Sequence, residues 1–531
     1  MSRGWSEYAA GPSLAPQAAS IECGYRLALP VAAALSIAVV LMTRAVIDHP
    51  VMYDELLHYL AARGWLAHGA PVIADGQYLR AELFTRLVAL SLHWFGDTAV
   101  AARLPAVAGA ALLVFVTTVF AVRQAGWVAG LGAGVVLCAI PLTVELGVFC
   151  RFYTLHAALI VMAAMSGFAA VAIDCRRNMR VVWTLVTLAM LALALHFQPT
   201  TAIAAGALLA GVAAALIYDE RIRVWSFVRR QPIAVSAVIV LVLLAGFVAT
   251  AVFGLLERLM SAPLWAGDFV NKPHYYLVKF SYYMPLIWPL FPVAVYLALR
   301  RQPRLTIFCT VVLLSGLAVH SVGAAKASRY VYYLLPFLAV IWGCAVASVV
   351  AWVATPDATE HSGKPARRAA FALALAGVVA AFSAEGQGMA KLLLGRASLN
   401  EALSFGGEPD WQPSMPQLLP LARSAARIVT SNSMKALYYL GDYQYELNAS
   451  VLLETDTNEE FGRDARTGRH VISRPDSVLQ VLDMPGTELV VLEQKTIGSA
   501  GGVPIDSVAA IEGRCQPVTL PDGAPLLAWT C

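Results

Sequence analysis

Two adjacent carboxylates, Asp54 and Glu55, follow closely on a long apolar run, in the stretch Val51-Met52-Tyr53-Asp54-Glu55-Leu56-Leu57-His58. Acids beside lipid are costly to desolvate, so they mark working chemistry. Such an environment raises a carboxyl pKa, which suits Asp54 to accept a proton as a general base; alternatively it holds a divalent cation. Neighbours on a helix point about 100° apart, so the two acids need not share a target. One can face a site while the other caps the helix or pairs locally. The plainer reading of both is an N-terminal cap, because helix N-termini favour acids.

Three further groups have the residue types for binding an anionic or sugar substrate. Glu82 and Arg86 lie one turn apart. They form either an ordinary i,i+4 ion pair or, through Arg86, an anion contact near Asp54. Glu145, Arg151, Tyr153 and His156 surround a second short loop. Glu145 either joins the site or pairs with Arg151, and His156 reads as an interior histidine. His196 with Gln198 meets the same surface. Lys326, Arg329 and Tyr330 form the third group. Arg329 is either an interfacial arginine in a tyrosine belt or a clamp for a phosphate, whose oxygens a guanidinium matches bidentately. Between Ser261 and Met284, Trp265, Asp268, Lys272, His274, Tyr275, Tyr276 and Lys279 mix charge with aromatic rings. That mixture suits a lid over a sugar or lipid as well as an aromatic belt.

The elements that must position these residues are membrane helices. Of 531 residues 59% are hydrophobic and only 14% charged, against roughly 25% charged in soluble domains. Apolar runs predict about eleven spans: 25–46, 98–122, 126–147, 153–174, 180–197, 199–218, 232–256, 284–299, 305–321, 330–353 and 369–384. Basic residues concentrate on alternate loops: Arg123; Arg176, Arg177 and Arg180; Arg221, Arg223, Arg229 and Arg230; Arg300, Arg301 and Arg304; Lys364, Arg367 and Arg368. The positive-inside rule makes that side cytoplasmic. The candidate residues then fall on outer loops 47–97, 145–152, 257–283 and 321–329, and the tail from about 385 is outside as well. In the first outer loop, Asp54–His68 and Glu82–Phe95 read as short helices lying in the interface.

The expected fold is an α-helical polytopic bundle with a C-terminal extracytoplasmic α/β domain. Residues 1–24 are expected to be a disordered cytoplasmic segment, 25–384 the membrane domain and 385–531 the outer domain. In the tail, Arg427–Ser431 and Glu488–Glu493 read as strands and Met434–Leu440 as a helix. Six cysteines lie in or beside apolar runs and read as small buried hydrophobes; Cys515 and Cys531 could pair in an oxidising compartment. No basic cluster with interleaved aromatics suggests nucleic acid, and no cysteine spacing suggests structural zinc.

Four segments resemble the GT-C superfamily of membrane glycosyltransferases, in particular the protein O-mannosyltransferase and lipid A aminoarabinose transferase group. They are Tyr53-Asp54-Glu55; Leu92-His93-Trp94-Phe95-Gly96 followed by Ala101-Ala102-Arg103-Leu104-Pro105; Arg151-Phe152-Tyr153-Thr154-Leu155; and Ser328-Arg329-Tyr330 with Leu334-Leu335-Pro336. The Lys-Pro-Pro segment of the aminoarabinose branch is replaced by Ala81-Glu82-Leu83-Phe84-Thr85-Arg86, and its second-loop aspartate has only Glu145 as a stand-in. That branch's sugar, acceptor and zinc are therefore not carried over. The resemblance implies a polyprenyl-phosphate-linked sugar donor and a glycan, lipid or protein acceptor. It implies a bacterial inner-membrane enzyme inverting the anomeric centre, with Asp54 catalytic, either as the base that takes the acceptor's proton or as the ligand of a metal that orients it. Glu55, Glu82, Arg86, Glu145, Arg151, Tyr153, Lys326, Arg329, Tyr330 and His274 would contact substrate. An outward-facing transferase has no access to cytoplasmic nucleotide sugars, so a lipid-borne donor meets an independent need. The rival is a transporter of lipid-linked sugars, which would place polar groups and broken helices at mid-membrane rather than at one rim.

Overall fold

The computed structural model describes residues 15–172, 176–220, 272–354, 384–395 and 409–531, with side chains from residue 28 onward. The expected spans 232–256 and 369–384, save its last residue, lie outside the described residues, as do Trp265, Asp268 and the basic loops at 221–230 and 364–368.

Among the described residues, six helices of 18 to 27 residues have the length and apolar character to cross a membrane, seven if one bent pair counts as a span. The first helix, α1 (Ala15–Arg44), begins ten residues before the expected span. The two outer-loop helices match expectation within a residue, as α2 (Tyr53–His68) and α3 (Glu82–Phe95). A two-stranded hairpin, β1 (Val72–Ile73) and β2 (Gly76–Gln77), links them. Next come α4 (Ala99–Ala125), α5 (Trp127–Ala139), α6 (Pro141–Gly147), α7 (Tyr153–Ala170), α8 (Arg177–Phe197) and α9 (Thr201–Asp219).

Two expected spans are altered, both by proline. The run 126–147 is bent by 68° between α5 and α6, where Pro141 opens a new helix at its first position. The expected span 284–299 is reduced to the nine-residue helix Phe291–Leu299, because Pro285 and Pro289 remove amide donors from the preceding turn. The helices Pro303–Val322 and Leu335–Ala354 complete the described bundle. Small residues allow close helix approach: a Cβ on Gly343 would sit 2.2 Å from the Ala129 carbonyl oxygen of α5.

The tail forms a six-stranded mixed sheet in the order β5-β4-β3-β6-β8-β7. These strands are β3 (Arg427–Thr430), β4 (Tyr445–Leu447), β5 (His470–Ile472), β6 (Glu488–Glu493), β7 (Gln516–Pro517) and β8 (Leu526–Thr530). Strands β3, β4, β5 and β6 run parallel through helical crossovers, and β8 is antiparallel to β6. Val429, Val490, Leu447 and Ile472 fill one face of the sheet, while Ile428, Leu489, Val491 and Trp411 fill the other. Covered on both faces, β6 is buried at all six positions, as parallel strands require. Cys515 and Cys531 form a disulfide that ties the last residue to the segment before β7.

The β1–β2 hairpin clasps the tail. Asp75 N–H donates to the Thr467 carbonyl at 2.9 Å and Gln77 N–H to that of Ala465 at 3.3 Å. Arg469 bridges Asp75 at 3.2 Å and Asp442 at 2.9 Å. A Cβ on Gly76 would lie 2.6 Å from the backbone of residues 466–468, so the contact needs glycine there.

Candidate functional site

A cleft of about 610 Å³ opens between the outer-loop helices and the tail sheet. One wall comes from the bundle: Asp54, Tyr78, Arg80, Arg151, Tyr153, Arg329 and Tyr330. The other comes from the tail: Asn448, Ser450, Glu454, Arg466 and the loop 495–502.

Asp54 stands in the first turn of α2, with its side chain 30% exposed toward the cleft. Its Oδ2 lies 3.1 Å from Nη2 of Arg329. Arg329 belongs to a short 3-10 turn, Ser328–Tyr330, just before the start of a span. Arg151, immediately before α7, donates from Nη1 to the Asp54 backbone carbonyl at 3.0 Å and to the Tyr78 hydroxyl at 3.1 Å. Residues 54, 151 and 329, widely spaced in sequence, therefore share one vestibule. Arg80 is held by the Gln198 side chain at 2.9 Å and stacks over the Phe152 ring. Burial pushes the Asp54 carboxyl up, but the guanidinium charges of Arg151, Arg329, Arg80 and Arg466 outweigh it and leave the pKa below its ordinary value. Asp54 is thus ionised at neutral pH.

The vestibule lies at one end of the spans. At the other end of α7 and of Pro303–Val322, Arg304 bonds the Val171 carbonyl at 2.8 Å and the Asp219 carboxylate of α9 at 2.8 Å. Arg304 thus stands at the end of these spans opposite the cleft.

Several expected site residues are placed elsewhere. Glu55 is 2% exposed and serves the fold. Its carboxylate takes Nε and Nη2 of Arg103 at 2.9 and 2.8 Å, the Met52 N–H at 3.1 Å and the Cys150 N–H at 2.9 Å. It caps α2 and pins it to α4, and with all these donors it has no lone pair directed at a substrate. Glu82 and Arg86 form the ordinary ion pair, at 2.7 Å on the surface, and Arg86 stacks over Trp65. Helical spacing satisfied them locally. Glu145 is buried in α6, and Arg151 bonds the Asp54 carbonyl and the Tyr78 hydroxyl. Lys326 is buried, with its ammonium on the Gly323 carbonyl three residues back. His274 is exposed at the start of the helix Tyr275–Tyr283 and does not line the cleft. His156 bonds the Thr201 hydroxyl in the interior, whereas His196, exposed, accepts the Leu83 N–H at 3.2 Å.

Arg80 and Arg466 were not anticipated, although the outer tail as a whole reads from sequence as either an acceptor-recognising or sheltering element or a stability module. Arg80 carried a legible signal, a cation on an outer loop against the charge trend. Arg466 carried none, since only the hairpin clasp brings residue 466 beside residue 54.

The donor set does not suit a divalent cation. Asp54 is ringed by guanidinium groups, Glu454 sits by Arg466 at 3.8 Å, and Glu493 is taken by Lys435, Trp411 and Asn432. Among the described residues no three His, Cys, Asp or Glu side chains converge as metal ligands.

No protein-family model matches the chain, and no curated protein sequence matches it. Solved structures do. ArnT from Cupriavidus metallidurans bound to undecaprenyl phosphate aligns with a TM-score of 0.59 at 16% identity, over 93% of this chain and 96% of that one. The archaeal oligosaccharyltransferase AglB from Archaeoglobus fulgidus, in complex with an inhibitory peptide and a dolichol-phosphate, aligns at 0.58 and 12% identity, over 88% and 69%. This chain has the GT-C fold. The Archaeoglobus fulgidus oligosaccharyltransferase in complex with Zn and sulfate aligns at 0.50 and 11% identity, over 86% and 67%. A GT-C bundle makes the chain a multi-pass membrane protein. Match to ArnT along nearly the whole of both chains extends the likeness from the bundle into the tail.

Proposed function

We propose that this chain is an integral-membrane inverting glycosyltransferase. It moves a sugar from a polyprenyl-phosphate donor to a hydroxyl of an extracytoplasmic glycan, lipid or protein acceptor. The observation that carries the reading is the Asp54–Arg329 contact beside Arg151, a carboxylate and two guanidinium groups gathered at the ends of membrane spans. A lipid-linked phosphate meets the protein at that level, with its tail beside the bundle. The solved neighbours with undecaprenyl phosphate and dolichol-phosphate bound support the same donor class. We place the protein in a bacterial cytoplasmic membrane with cleft and tail outside, on the charge asymmetry of the loops.

In this mechanism Arg329, Arg151 and Arg80 hold the donor phosphate. Its negative charge offsets the guanidinium field, which raises the Asp54 pKa toward the range of a useful base. The acceptor oxygen attacks the anomeric carbon as its proton passes to Asp54. The bond from that carbon to the phosphate oxygen breaks, and polyprenyl phosphate leaves with the electron pair. One displacement inverts the centre. Fixed positive charge aimed at the departing phosphate supplies the larger effect, and base catalysis adds about 10²–10⁴-fold. No step is routed through a metal.

The test uses the purified full chain in lipid nanodiscs with undecaprenyl-phosphate-linked hexose and pentose donors and an envelope extract as acceptor. Release of undecaprenyl phosphate with an inverted product, about 10²–10⁴-fold slower for Asp54→Asn, is the expected result. Passage of intact donor across a vesicle without release would replace the reading with transport, and a retained product would end the single displacement.

A further inference from the structure

The bundle wall accounts for the donor phosphate, but the cleft has a further cation on its far side. Arg466 sits on the tail loop 464–469 and lines the cleft. Three features fix it in place. Its Nε donates to both oxygens of Asp464, at 2.9 and 3.2 Å, and Asp464 is 2% exposed. Its own loop is gripped by the hairpin through the Asp75 and Gln77 amides. The Gly76 and Gly468 backbones then close on each other without room for a side chain, Gly468 at φ +69°. This anchoring consumes Nε alone. Nη1 lies 3.8 Å from Glu454, Nη2 is buried without a hydrogen-bond partner, and the buried Glu446 carboxyl and Tyr53 hydroxyl act on the guanidinium electrostatically without a hydrogen bond to it. A buried guanidinium N–H without an acceptor costs stability unless a ligand or water meets it.

The surroundings extend the pattern. Asn448 and Ser450 line the same wall, together with Lys495 and the small-residue loop Ser499-Ala500-Gly501-Gly502, which leaves room for a ligand to approach the backbone. Arg151 and Arg329 adjoin span ends, where a membrane-anchored phosphate resides, whereas Arg466 belongs to the opposite, tail-side wall. A lipid phosphodiester already engaged by two or three arginines does not need it. The remaining substrate in the cleft is the acceptor.

We propose that Arg466, held rigid by Asp464 and the hairpin clasp, binds an anionic group, phosphate or carboxylate, on the acceptor, so that the tail selects acceptors with such a group near the reacting hydroxyl. The inference rests on the transferase reading above. It gives the tail a role as a substrate-contacting wall in addition to its own folding.

The experiment measures binding to the full chain in nanodiscs, with inorganic phosphate, glycerol 1-phosphate and glucuronate as small-anion probes. Each is titrated after saturation with undecaprenyl phosphate, which fills the bundle-side subsite. The wild type is expected to bind at least one probe. Arg466→Gln weakens that binding at least tenfold and changes undecaprenyl phosphate affinity less than twofold, and Arg329→Gln does the reverse. Stronger binding of glycerol 1-phosphate or of glucuronate assigns the anion as phosphate or carboxylate. Ser450→Glu, which sets a carboxylate in the same wall and leaves Arg466 anchored, is expected to abolish probe binding too, and keeps the test decisive if Arg466→Gln misfolds. A lipid-saturated wild type that binds none of the probes overturns the inference alone. So does an Arg466→Gln variant that loses undecaprenyl phosphate instead. A wild type that binds no undecaprenyl phosphate overturns the transferase reading together with it.

Discussion

Asp54 and Glu55 are adjacent in sequence, yet their environments assign them opposite consequences when removed. Glu55→Ala strips the counter-charge from Arg103, which is 1% exposed, and leaves the Met52 and Cys150 amides without their acceptor. Breaking one side of a buried, hydrogen-bonded ion pair costs about 3–5 kcal/mol, chiefly because a charge is left in a medium that cannot solvate it. Bonds from Arg103 to the Ile47 and His49 carbonyls, at 2.6 and 2.8 Å, keep the loss toward the lower figure. Asp54→Asn, in contrast, alters a pair whose side chains are each 30% exposed, and such pairs contribute at most about 1 kcal/mol. The assay pairs thermal unfolding in detergent, followed by tryptophan fluorescence, with turnover per folded molecule. Glu55→Ala is expected to unfold much earlier while its surviving folded fraction retains turnover. Asp54→Asn is expected to melt near wild type and lose about 10²–10⁴-fold in rate. The double variant Glu55→Leu with Arg103→Met removes both charges and should recover most of the lost stability, giving a large coupling in a double-mutant cycle. A Glu55→Ala protein with wild-type melting and no turnover would refute this reasoning and return Glu55 to the substrate site.

Three shorter predictions follow from other parts of the molecule. Glu446 on β4 is 1% exposed, and burial pushes its carboxyl up to about 7, with Arg466 opposing and Asp464 adding to the rise. A folded-state pKa raised above the unfolded value near 4.5 means the native tail binds the proton more tightly, so stability falls as pH rises from about 4.5 to 7. Glu446→Gln should flatten that slope and stabilise the tail by up to roughly 3 kcal/mol at pH 8, read from melting curves at pH 5 and 8; an unchanged slope would contradict it. Replacing Cys515 and Cys531 by serine should lower tail stability by about 2–4 kcal/mol, since the bridge closes a 16-residue separation, and mass spectrometry without reductant should find no free thiol at either position. Because Asp54 lies among guanidinium groups, turnover should persist in excess EDTA, and activity lost to EDTA but restored by Mn²⁺ or Zn²⁺ would show that a cation enters after all.

What the sequence determined by itself was local and one-dimensional. Apolar run length identified membrane helices, because a span must satisfy its backbone internally and keep lipid-compatible side chains over its whole length. Helical spacing located α2 and α3, and the shift to short β-branched runs marked β3 and β6. Charge against the loop trend pointed to Arg329, and an acid beside an apolar run pointed to Asp54. Prolines at 141, 285 and 289 were visible too, yet apolar composition masked their effect on span geometry.

Tertiary structure decided which charge meets which. Glu55 found Arg103 rather than a substrate, Arg86 found Glu82 and Trp65, and Lys326 found its own loop. Arg466 reached the cleft because two backbone hydrogen bonds dock a two-residue hairpin strand on its loop. The physical reason is that hydrophobic periodicity is a property of neighbours along the chain, whereas an ionised side chain accepts whichever opposite charge, carbonyl or ligand the packing brings within about 3 Å. That choice exists only once the chain has folded.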